Sequence, residues 1–307
     1  MSLPDSDRVQ RFVVENEAVR GQFARLGASW LALREHSDYP APVRALLGEM
    51  ATAAVLLAST LKFEGILTLQ LQGSGAVRLL VAQCTHDFKI RGVARFDPAR
   101  ITESFQDLAG DGVITATIES ERLASRYQGV VPIQGESLAV CLEHYFLSSE
   151  QLPTRVALAA DESGATGLIV QRIAGEGGAG VDDARAARAR FELAESTWRE
   201  TESALAGLAP DELLLRPAAE LIQRSLAGRD LRLFVPRPVR FECRCTLERV
   251  TGMLRSLGEA EIRDVLREQG AVTVTCEFCH RPYRFDTVDV EQMFVAASPV
   301  PGSDRIN

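Results

Sequence analysis

Four of the six cysteines in this 307-residue chain fall in two short clusters near the C-terminus. The first cluster is Cys243 and Cys245 in the run FECRC, and the second is Cys276 and Cys279 in the run CEFCH. Thiolates are soft donors that bind Zn²⁺ in tetrahedral sites, with Zn–S bonds of about 2.3 Å. Two cysteine pairs on separate elements therefore predict one metal site built from all four thiolates.

Other uses of the same residues remain open. His280 could replace one thiolate as a ligand, and CEFCH also matches the c-type haem attachment pattern, which leaves Cys243 and Cys245 without a role. A thioredoxin-like oxidoreductase would place its CxxC in a strand-to-helix setting that this region lacks. A zinc ribbon that binds nucleic acid is a further alternative. Residues 240–286 carry eight arginines and eight acidic residues, so their net attraction to phosphate is small.

The single residue between Cys243 and Cys245 is unusual, because structural zinc sites more often have two or more residues between paired ligands. Since all four predicted ligands are thiolates, metal binding and oxidation compete for the same sulfur atoms. Oxidation of both pairs would remove every ligand at once. The two clusters together indicate a metal site that is lost on oxidation.

Composition and charge predict a soluble globular protein in the cytoplasm. Apolar residues make up 46% of the chain and the formal net charge is −8, which disfavours broad attraction to nucleic acid or to an anionic membrane. The N-terminal run MSLPDSDRVQRF lacks the cationic start and apolar core of a secretory signal. The most apolar stretch, residues 51–61, is too short to span a bilayer. Clustered cysteines in the cytoplasm indicate metal or redox chemistry rather than structural disulfides.

Residues that could support catalysis are sparse, and we expect no enzymatic activity. The run GESLA at 135–139 lacks the final glycine of a nucleophile elbow and is better interpreted as a helix start. Cys84 ends a predicted strand and Cys141 lies in an apolar helical pattern, so both are expected to be inert small apolar side chains. Three histidines have no neighbour that suggests a triad or a metal site: His36, His86 and His144.

The first part of the chain, residues 1–175, predicts an α+β domain. Residues 66–84 alternate as a β-hairpin that turns at Gly73-Ser74-Gly75, and this turn joins two strands, so it offers no helix N-terminus to a phosphate. A helix that starts after Ser137 has a side chain suited to capping. The other predicted strands cover residues 9–14, 19–26, 154–160 and 167–173, and the predicted helices cover residues 42–61 and 137–151.

The glycine-rich run AGEGGAG predicts a domain boundary, after which residues 176–230 read as a helical linker. Phe191, Trp198 and Leu205 recur every seven residues in this segment and form a narrow apolar seam. Helices with such a seam cannot bury it alone, so they must lie on another surface. We expect the C-terminal domain to supply that surface.

The segment 231–296 is predicted to be a small zinc-binding domain, and residues 297–307 a disordered tail. The zinc-binding domain begins with LRLFVPRPVRF, which is predicted to be one strand that leads into the cysteines. Two helical patterns and the strand AVTVT separate the two cysteine clusters. A domain of this size rarely has a sufficient core of its own, which is a setting where a metal ion stabilises the fold.

Several stretches resemble one known family, the redox-regulated 33 kDa heat-shock chaperones. The resemblance rests on RFECRC, on VTCEFC and on the interval between them, and it extends to LKFEGILTLQLQGSG and YFLSSEQLPT in the first domain. It implies that Cys243, Cys245, Cys276 and Cys279 hold one Zn²⁺ in a reduced, inactive form. It also implies that the disulfides Cys243–Cys245 and Cys276–Cys279 form in an oxidised, active form.

The same resemblance implies an ATP-independent holdase that binds unfolding proteins under oxidative stress and is a homodimer when active. No nucleic acid or membrane partner is expected. Phe191, Trp198 and Leu205 are the predicted client-binding residues, exposed once zinc loss unfolds the C-terminal domain. The alternative from another class is a zinc-ribbon adaptor that binds nucleic acid or a transcription partner.

Overall fold

The computed structural model describes residues 6–15, 17–35, 37–120, 126–173, 184–226 and 228–295. The run AGEGGAG, His36 and the predicted tail lie outside these ranges. The chain divides into two compact units, Met1–Glu242 and Cys243–Asn307. Helices and sheets occur in both units, which confirms the predicted α+β class.

The first unit contains two sheets and seven helices within its described residues. Its strands are β1 (Arg8–Val14), β2 (Val19–Leu26), β3 (Gly65–Gly73), β4 (Val77–Thr85), β5 (Lys89–Phe96), β6 (Gly112–Ser120), β7 (Arg126–Pro132), β8 (Thr154–Ala160), β9 (Ala165–Arg172), β10 (Leu231–Leu233), β11 (Arg237–Pro238) and β12 (Arg240–Phe241). Its helices are α1 (Ala28–Arg34), α2 (Ala41–Thr60), α3 (Phe105–Ala109), α4 (Leu138–Ser148), α5 (Ala184–Ala206), α6 (Pro210–Leu215) and α7 (Ala218–Ser225). The first sheet has the order β10-β1-β2-β9-β8 with β11 also paired to β1, and the second has the order β12-β5-β4-β3-β6-β7.

Helix α2 lies between the two sheets and packs against strands of both. It is 20 residues long and is apolar enough to cross a membrane by length and composition. Considering only the apolar run 51–61 therefore underestimated the length of the apolar helix. However, 72% of its apolar window is buried inside the unit. Leu47, Met50 and Val55 are fully enclosed in the main apolar cluster, so we interpret α2 as a core helix.

The predicted hairpin and the predicted helix cap are both present. Strands β3 and β4 pair with Leu71 opposite Leu80, and the Gly-Ser-Gly run connects them. Glycine is required at position 73, because a Cβ there would lie 1.8 Å from the carbonyl oxygen of Ala109. The Ser137 hydroxyl accepts a hydrogen bond from the Val140 amide at 3.3 Å, which caps α4 as expected.

The linker helices α5, α6 and α7 lie on the first sheet, on the face opposite α2. Trp198 and Leu205 are each 6% exposed and belong to an apolar cluster that includes Phe12 and Phe23 of the sheet. This corrects the expectation that the C-terminal domain supports the linker. The physical reason is that the first sheet is apolar on both faces, as strand β9 shows by being buried at seven consecutive positions.

Buried Arg25 of β2 fastens the linker by hydrogen bonds to the end of α6. Its guanidinium donates to the carbonyl oxygens of Leu213 at 2.8 Å and of Arg216 at 2.6 Å, and also to the Thr166 hydroxyl at 3.2 Å. The positive charge therefore faces the negative end of the helix dipole. Two ion pairs add to this attachment, Arg155–Glu202 at 2.9 Å and Arg229–Glu17 at 3.3 Å.

The run LRLFVPRPVRF forms three short strands rather than the single strand that was predicted. Strands β10 and β11 pair with β1, and β12 pairs in parallel with β5. Glu242 follows β12 and its carboxylate lies 2.7 Å from the Lys89 ammonium. These strands extend the edges of the first unit, and the compact unit that carries the cysteines begins at Cys243.

The second unit has three helices and one β-hairpin within its described residues. They are α8 (Leu247–Leu257), α9 (Glu259–Gln269), α10 (Thr287–Val295), β13 (Val272–Thr275) and β14 (Pro282–Phe285). Helix α9 ends at Gly270, whose positive φ of 71° is the left-handed conformation that favours glycine. The core is small, with seven buried apolar residues: Leu254, Ile262, Val272, Tyr283, Phe285, Val290 and Met293.

Candidate metal centre

Cys276 and Cys279 lie in the loop of the β13–β14 hairpin. The last strand pair is Thr275 opposite Pro282. The Cys276 amide donates to the Arg281 carbonyl oxygen at 3.0 Å, and the His280 amide donates to the Cys276 carbonyl oxygen at 2.8 Å. His280 completes the turn with a positive φ of 51°. Backbone hydrogen bonds therefore hold the second cysteine pair in a compact loop.

Cys243 and Cys245 lie in the stretch between β12 and α8. Thr246 caps α8, because its hydroxyl accepts a hydrogen bond from the Arg249 amide at 3.2 Å. The side chain of Arg249 donates to the Arg244 carbonyl oxygen at 3.0 Å. The helix start thus fixes the backbone beside Cys245, while Cys245 itself packs against the small apolar core.

The four sulfur atoms of Cys243, Cys245, Cys276 and Cys279 all lie within 4.8 Å of one another. Two contacts join one cysteine of each pair, at 3.6 Å for Cys243–Cys276 and 3.3 Å for Cys245–Cys279. No other group of three or more potential ligands comes together among the described residues. The structure therefore places the four predicted residues at a single point.

These separations match what a tetrahedral Zn²⁺ site requires. Four sulfurs bonded to one ion at about 2.3 Å stand about 3.8 Å apart. Two of the observed separations are 3.3 Å and 3.6 Å and all lie within 4.8 Å, so the thiols fit around one ion with small adjustments. The donor set is all sulfur, which favours Zn²⁺ over hard ions such as Mg²⁺ and Ca²⁺.

The cluster contains one sulfur that ionises more easily than the others. Partial burial opposes the thiolate of Cys245, but the nearby Tyr283 hydroxyl and the three neighbouring thiols outweigh it and lower its pKa to about 7. Burial and the neighbouring sulfur of Cys245 raise the pKa of Cys279 to about 12. Burial also raises the pKa of Cys243. The cluster therefore favours the thiolate form at Cys245, and the thiolate is the form that binds a metal.

The other predicted residues lie in the first unit. Cys84 and Cys141 are completely buried in its main core, where burial raises the pKa of both thiols, in keeping with inert apolar roles. His86 accepts a hydrogen bond from the Gly65 amide at 3.2 Å, which is a structural contact. Trp198 and Leu205 belong to α5, and their side chains are buried between this helix and the first sheet. The side chain of Phe191 lies outside the described residues, although its backbone belongs to α5.

Two buried polar residues next to the candidate site and the linker were missed by sequence reasoning. Tyr283 is buried beside Cys245, and the signal that could have found it is the alternation of Tyr283 and Phe285 on the inner face of β14. Arg25 is buried at 3% exposure among the linker contacts. Its position two residues after Phe23 places it on the same face of β2, but nothing in the sequence indicates that this face is covered.

The chain matches a described family and its members along nearly all of its length. The Hsp33 protein family matches residues 7–286. The chain is 40% identical to a protein named 33 kDa chaperonin from Pseudomonas paraeruginosa over 307 residues, covering 99% of this chain and all of the relative. It is 38% identical to the 33 kDa chaperonin of Methylobacillus flagellatus over 300 residues, covering 97% and 98% of the two chains.

The fold is also similar to a solved structure. The crystal structure of the 33 kDa chaperonin (heat shock protein 33 homolog) from Thermotoga maritima superposes with a TM-score of 0.77, covering 95% of this chain and all of the other. Its sequence identity is 20%, so this likeness concerns the fold. The resemblance inferred from the cysteine spacing is thus confirmed by sequence and by fold: the chain belongs to the Hsp33 protein family.

Proposed function

We propose that this protein is a redox-regulated, ATP-independent chaperone that binds unfolding proteins and prevents their aggregation. The observation that carries the proposal is the meeting of four thiols within 4.8 Å in a unit with a small core, in a member of the Hsp33 family. Relatives that span the whole chain are named chaperonins, which supports the chaperone class. Its proposed setting is the cytoplasm, with unfolded clients as partners.

The reduced form is proposed to be the inactive one. Cys243, Cys245, Cys276 and Cys279 would hold one Zn²⁺, and a bound ion would crosslink the stretch before α8 to the β13–β14 loop. Structural zinc contributes roughly 10–16 kcal/mol of apparent folding free energy in small domains. A core of this size supplies on the order of 3–5 kcal/mol. The metal is therefore proposed to be the main source of stability in the second unit.

Oxidation is proposed to convert the four thiolates to the disulfides Cys243–Cys245 and Cys276–Cys279. For each disulfide, two thiolates lose two electrons to one molecule of hydrogen peroxide, which takes up two protons and becomes two molecules of water. The disulfides leave no thiolate to bind the ion. We expect Cys276–Cys279 to form first, because a CxxC disulfide closes a turn while a CxC disulfide requires a tighter ring.

The chain between the linker and the cysteines offers a route for coupling. Strand β12 ends at Phe241, two residues before Cys243. At the edge of the first sheet, β10 is three residues long and β11 is two residues long. Unfolding that begins at Cys243 would remove the support of these short edge strands, starting with β12. Loss of β10 would then uncover the end of the linker cluster, where Leu231 packs beside the buried linker residues.

The surface proposed to bind clients is the face of the linker helices that now covers the first sheet. Trp198 and Leu205 lie on that face, and Phe191 continues the same heptad spacing. Their release would expose a contiguous apolar patch together with the sheet side chains beneath it, such as Phe12 and Phe23. Exposed apolar patches of this kind bind other apolar chains. A homodimer is the proposed assembly of the active form.

The decisive experiment compares the reduced and peroxide-treated protein in two assays. Zinc content should fall from one ion per chain to none after oxidation, and light scattering of a denatured client should be suppressed by the oxidised protein alone. Peptide mapping by mass spectrometry should identify the two proposed disulfides, and thiol trapping over time should show the CxxC pair first. Salt-dependent RNA or DNA binding by the metallated protein, with no client protection after oxidation, would instead support the zinc-ribbon adaptor.

A further inference from the structure

The hydroxyl of Tyr283 is buried in the second unit and has no hydrogen-bond partner within the part of the chain that the structure describes. The side chain as a whole is 9% exposed and its ring belongs to the small apolar core. A buried hydroxyl without a partner is unfavourable, and native structures pair nearly all such groups. A buried hydroxyl that is left unpaired is therefore a candidate donor to a neighbouring group.

The surroundings of this hydroxyl limit what that partner can be. Of the four clustered cysteines, Cys245 is the one that packs against the apolar core to which the Tyr283 ring belongs. Arg281 lies two residues before Tyr283 in the chain. A guanidinium has only donors, so Arg281 cannot accept the phenolic proton. The sulfur of Cys245 is therefore the candidate acceptor.

A metal ion bound to that sulfur would make it a better acceptor. A thiolate bound to a metal keeps lone pairs and negative charge that attract a donor. Groups that hydrogen-bond to metal ligands fix the orientation of those ligands and adjust their donor strength. The buried, unpaired hydroxyl is thus suited to donate to a metal-bound Cys245 sulfur.

We infer that Tyr283 is a positioning residue of the metal centre, whose hydroxyl donates a hydrogen bond to the Cys245 thiolate when that thiolate binds Zn²⁺. This inference rests on the proposed metal site and adds a residue to it. The hydrogen bond would withdraw charge from one of the four sulfurs. Cys245 would therefore be a weaker nucleophile toward peroxide than it would be without Tyr283.

Replacement of Tyr283 by phenylalanine tests the inference, because it removes the hydroxyl and keeps the buried ring. The full chain is prepared reduced and anaerobically, stripped of metal and titrated with Co²⁺, a spectroscopic substitute for Zn²⁺. In Tyr283→Phe the sulfur-to-cobalt charge-transfer band should move to lower energy, since a thiolate without a hydrogen bond gives up its electron more easily. Competition with a chelator should show Zn²⁺ binding about tenfold weaker than in the parent protein.

The matched control is Tyr145→Phe in the first unit, which removes a hydroxyl that donates to Glu150 at 2.9 Å. Its cobalt spectrum and its zinc affinity should equal those of the parent. The band energy is measured only on metal-bound molecules, so partial unfolding of a variant would lower the intensity without moving the band. An unshifted band in Tyr283→Phe would overturn the role of Tyr283 even if affinity fell. Failure of the parent protein itself to bind Zn²⁺ or Co²⁺ would overturn the metal site as well.

Discussion

Among the described residues, the first unit has forty buried apolar residues in the cluster around α2 and fourteen more in the cluster beneath the linker helices, whereas the core cluster of the second unit has seven. Two sheets enclose α2 from both sides, and each face of the first sheet is covered. The described part of the second unit has one two-stranded hairpin and three short helices. Apolar burial is the dominant stabilising term in folding, so the two units must differ greatly in how much stability they derive from it.

This difference shows how one chain can combine a unit with a large apolar core and a unit whose folding would depend on a bound metal ion. We expect the core of the first unit to fold without a metal, because it is of the size that folds on its own. The second unit places Cys245 against its core, so the predicted ligands and the core are parts of one structure. Loss of the ligands would remove the larger contribution to folding in the second unit, loosen the linker helices, and leave the two sheets and α2 of residues 8–172 folded.

Metal removal should have the largest effect on this contrast. A chelator applied to the reduced protein should unfold residues 243–295 by removing on the order of 10 kcal/mol of folding free energy, while the sheets and α2 of residues 8–172 stay folded. The double variant Cys276→Ser/Cys279→Ser should behave in the same way. Limited proteolysis and zinc analysis are the measurements, and Cys84→Ala is the control that should retain one zinc per chain. A second unit that resists proteolysis without metal would contradict the account.

Trp198→Ala should have the next largest effect, and it acts on the first unit alone. Truncating a buried aromatic side chain costs about 3–5 kcal/mol, which should loosen the linker helices from the sheet. The reduced variant should keep its zinc and yet suppress part of the aggregation of a denatured client. Leu193→Ala on the same helix is the matched control, because Leu193 is 44% exposed and its loss should change nothing. If Trp198→Ala is as inactive as the control, the linker surface is not the gate.

Arg25→Met should have a smaller effect in the same direction. The substitution removes a charged donor and leaves the carbonyl oxygens of Leu213 and Arg216 without this partner, which should cost about 2 kcal/mol. Hydrogen exchange of α6 should increase while zinc content stays at one per chain. The control is Arg188→Met, since Arg188 forms an exposed pair with Glu192 that contributes little. Equal exchange in both variants would show that Arg25 does not fasten the linker.

The sequence predicted those features that depend on local pattern. Alternation located β1, β2 and the β3–β4 hairpin within one or two residues, and capping located the start of α4 at Ser137. The cysteine spacing predicted one four-thiol cluster, because ligand types and intervals reflect the geometry of the ion. These signals lie within short stretches of chain, so they survive without knowledge of the rest of the fold.

The features that the sequence did not predict depend on distant partners. LRLFVPRPVRF reads as one strand, but its residues divide between two sheet edges because β1 and β5 present different edges to it. The linker seam predicted that α5 must lie on a surface, yet nothing in it identified the first sheet. Tyr283 became a candidate positioning residue only in the structure, where its hydroxyl is buried without a partner in the core against which Cys245 packs.

Hydrogen exchange before and after peroxide tests the central claim most directly, which is that the four thiols control whether the linker surface is covered. In the reduced, zinc-loaded protein, residues 184–226 and 243–295 should both be protected. After oxidation both segments should lose protection together, while α2 and the strands of residues 8–172 keep theirs. Loss of protection in residues 243–295 with a fully protected linker would contradict the account, because the client surface would then remain closed in the oxidised form.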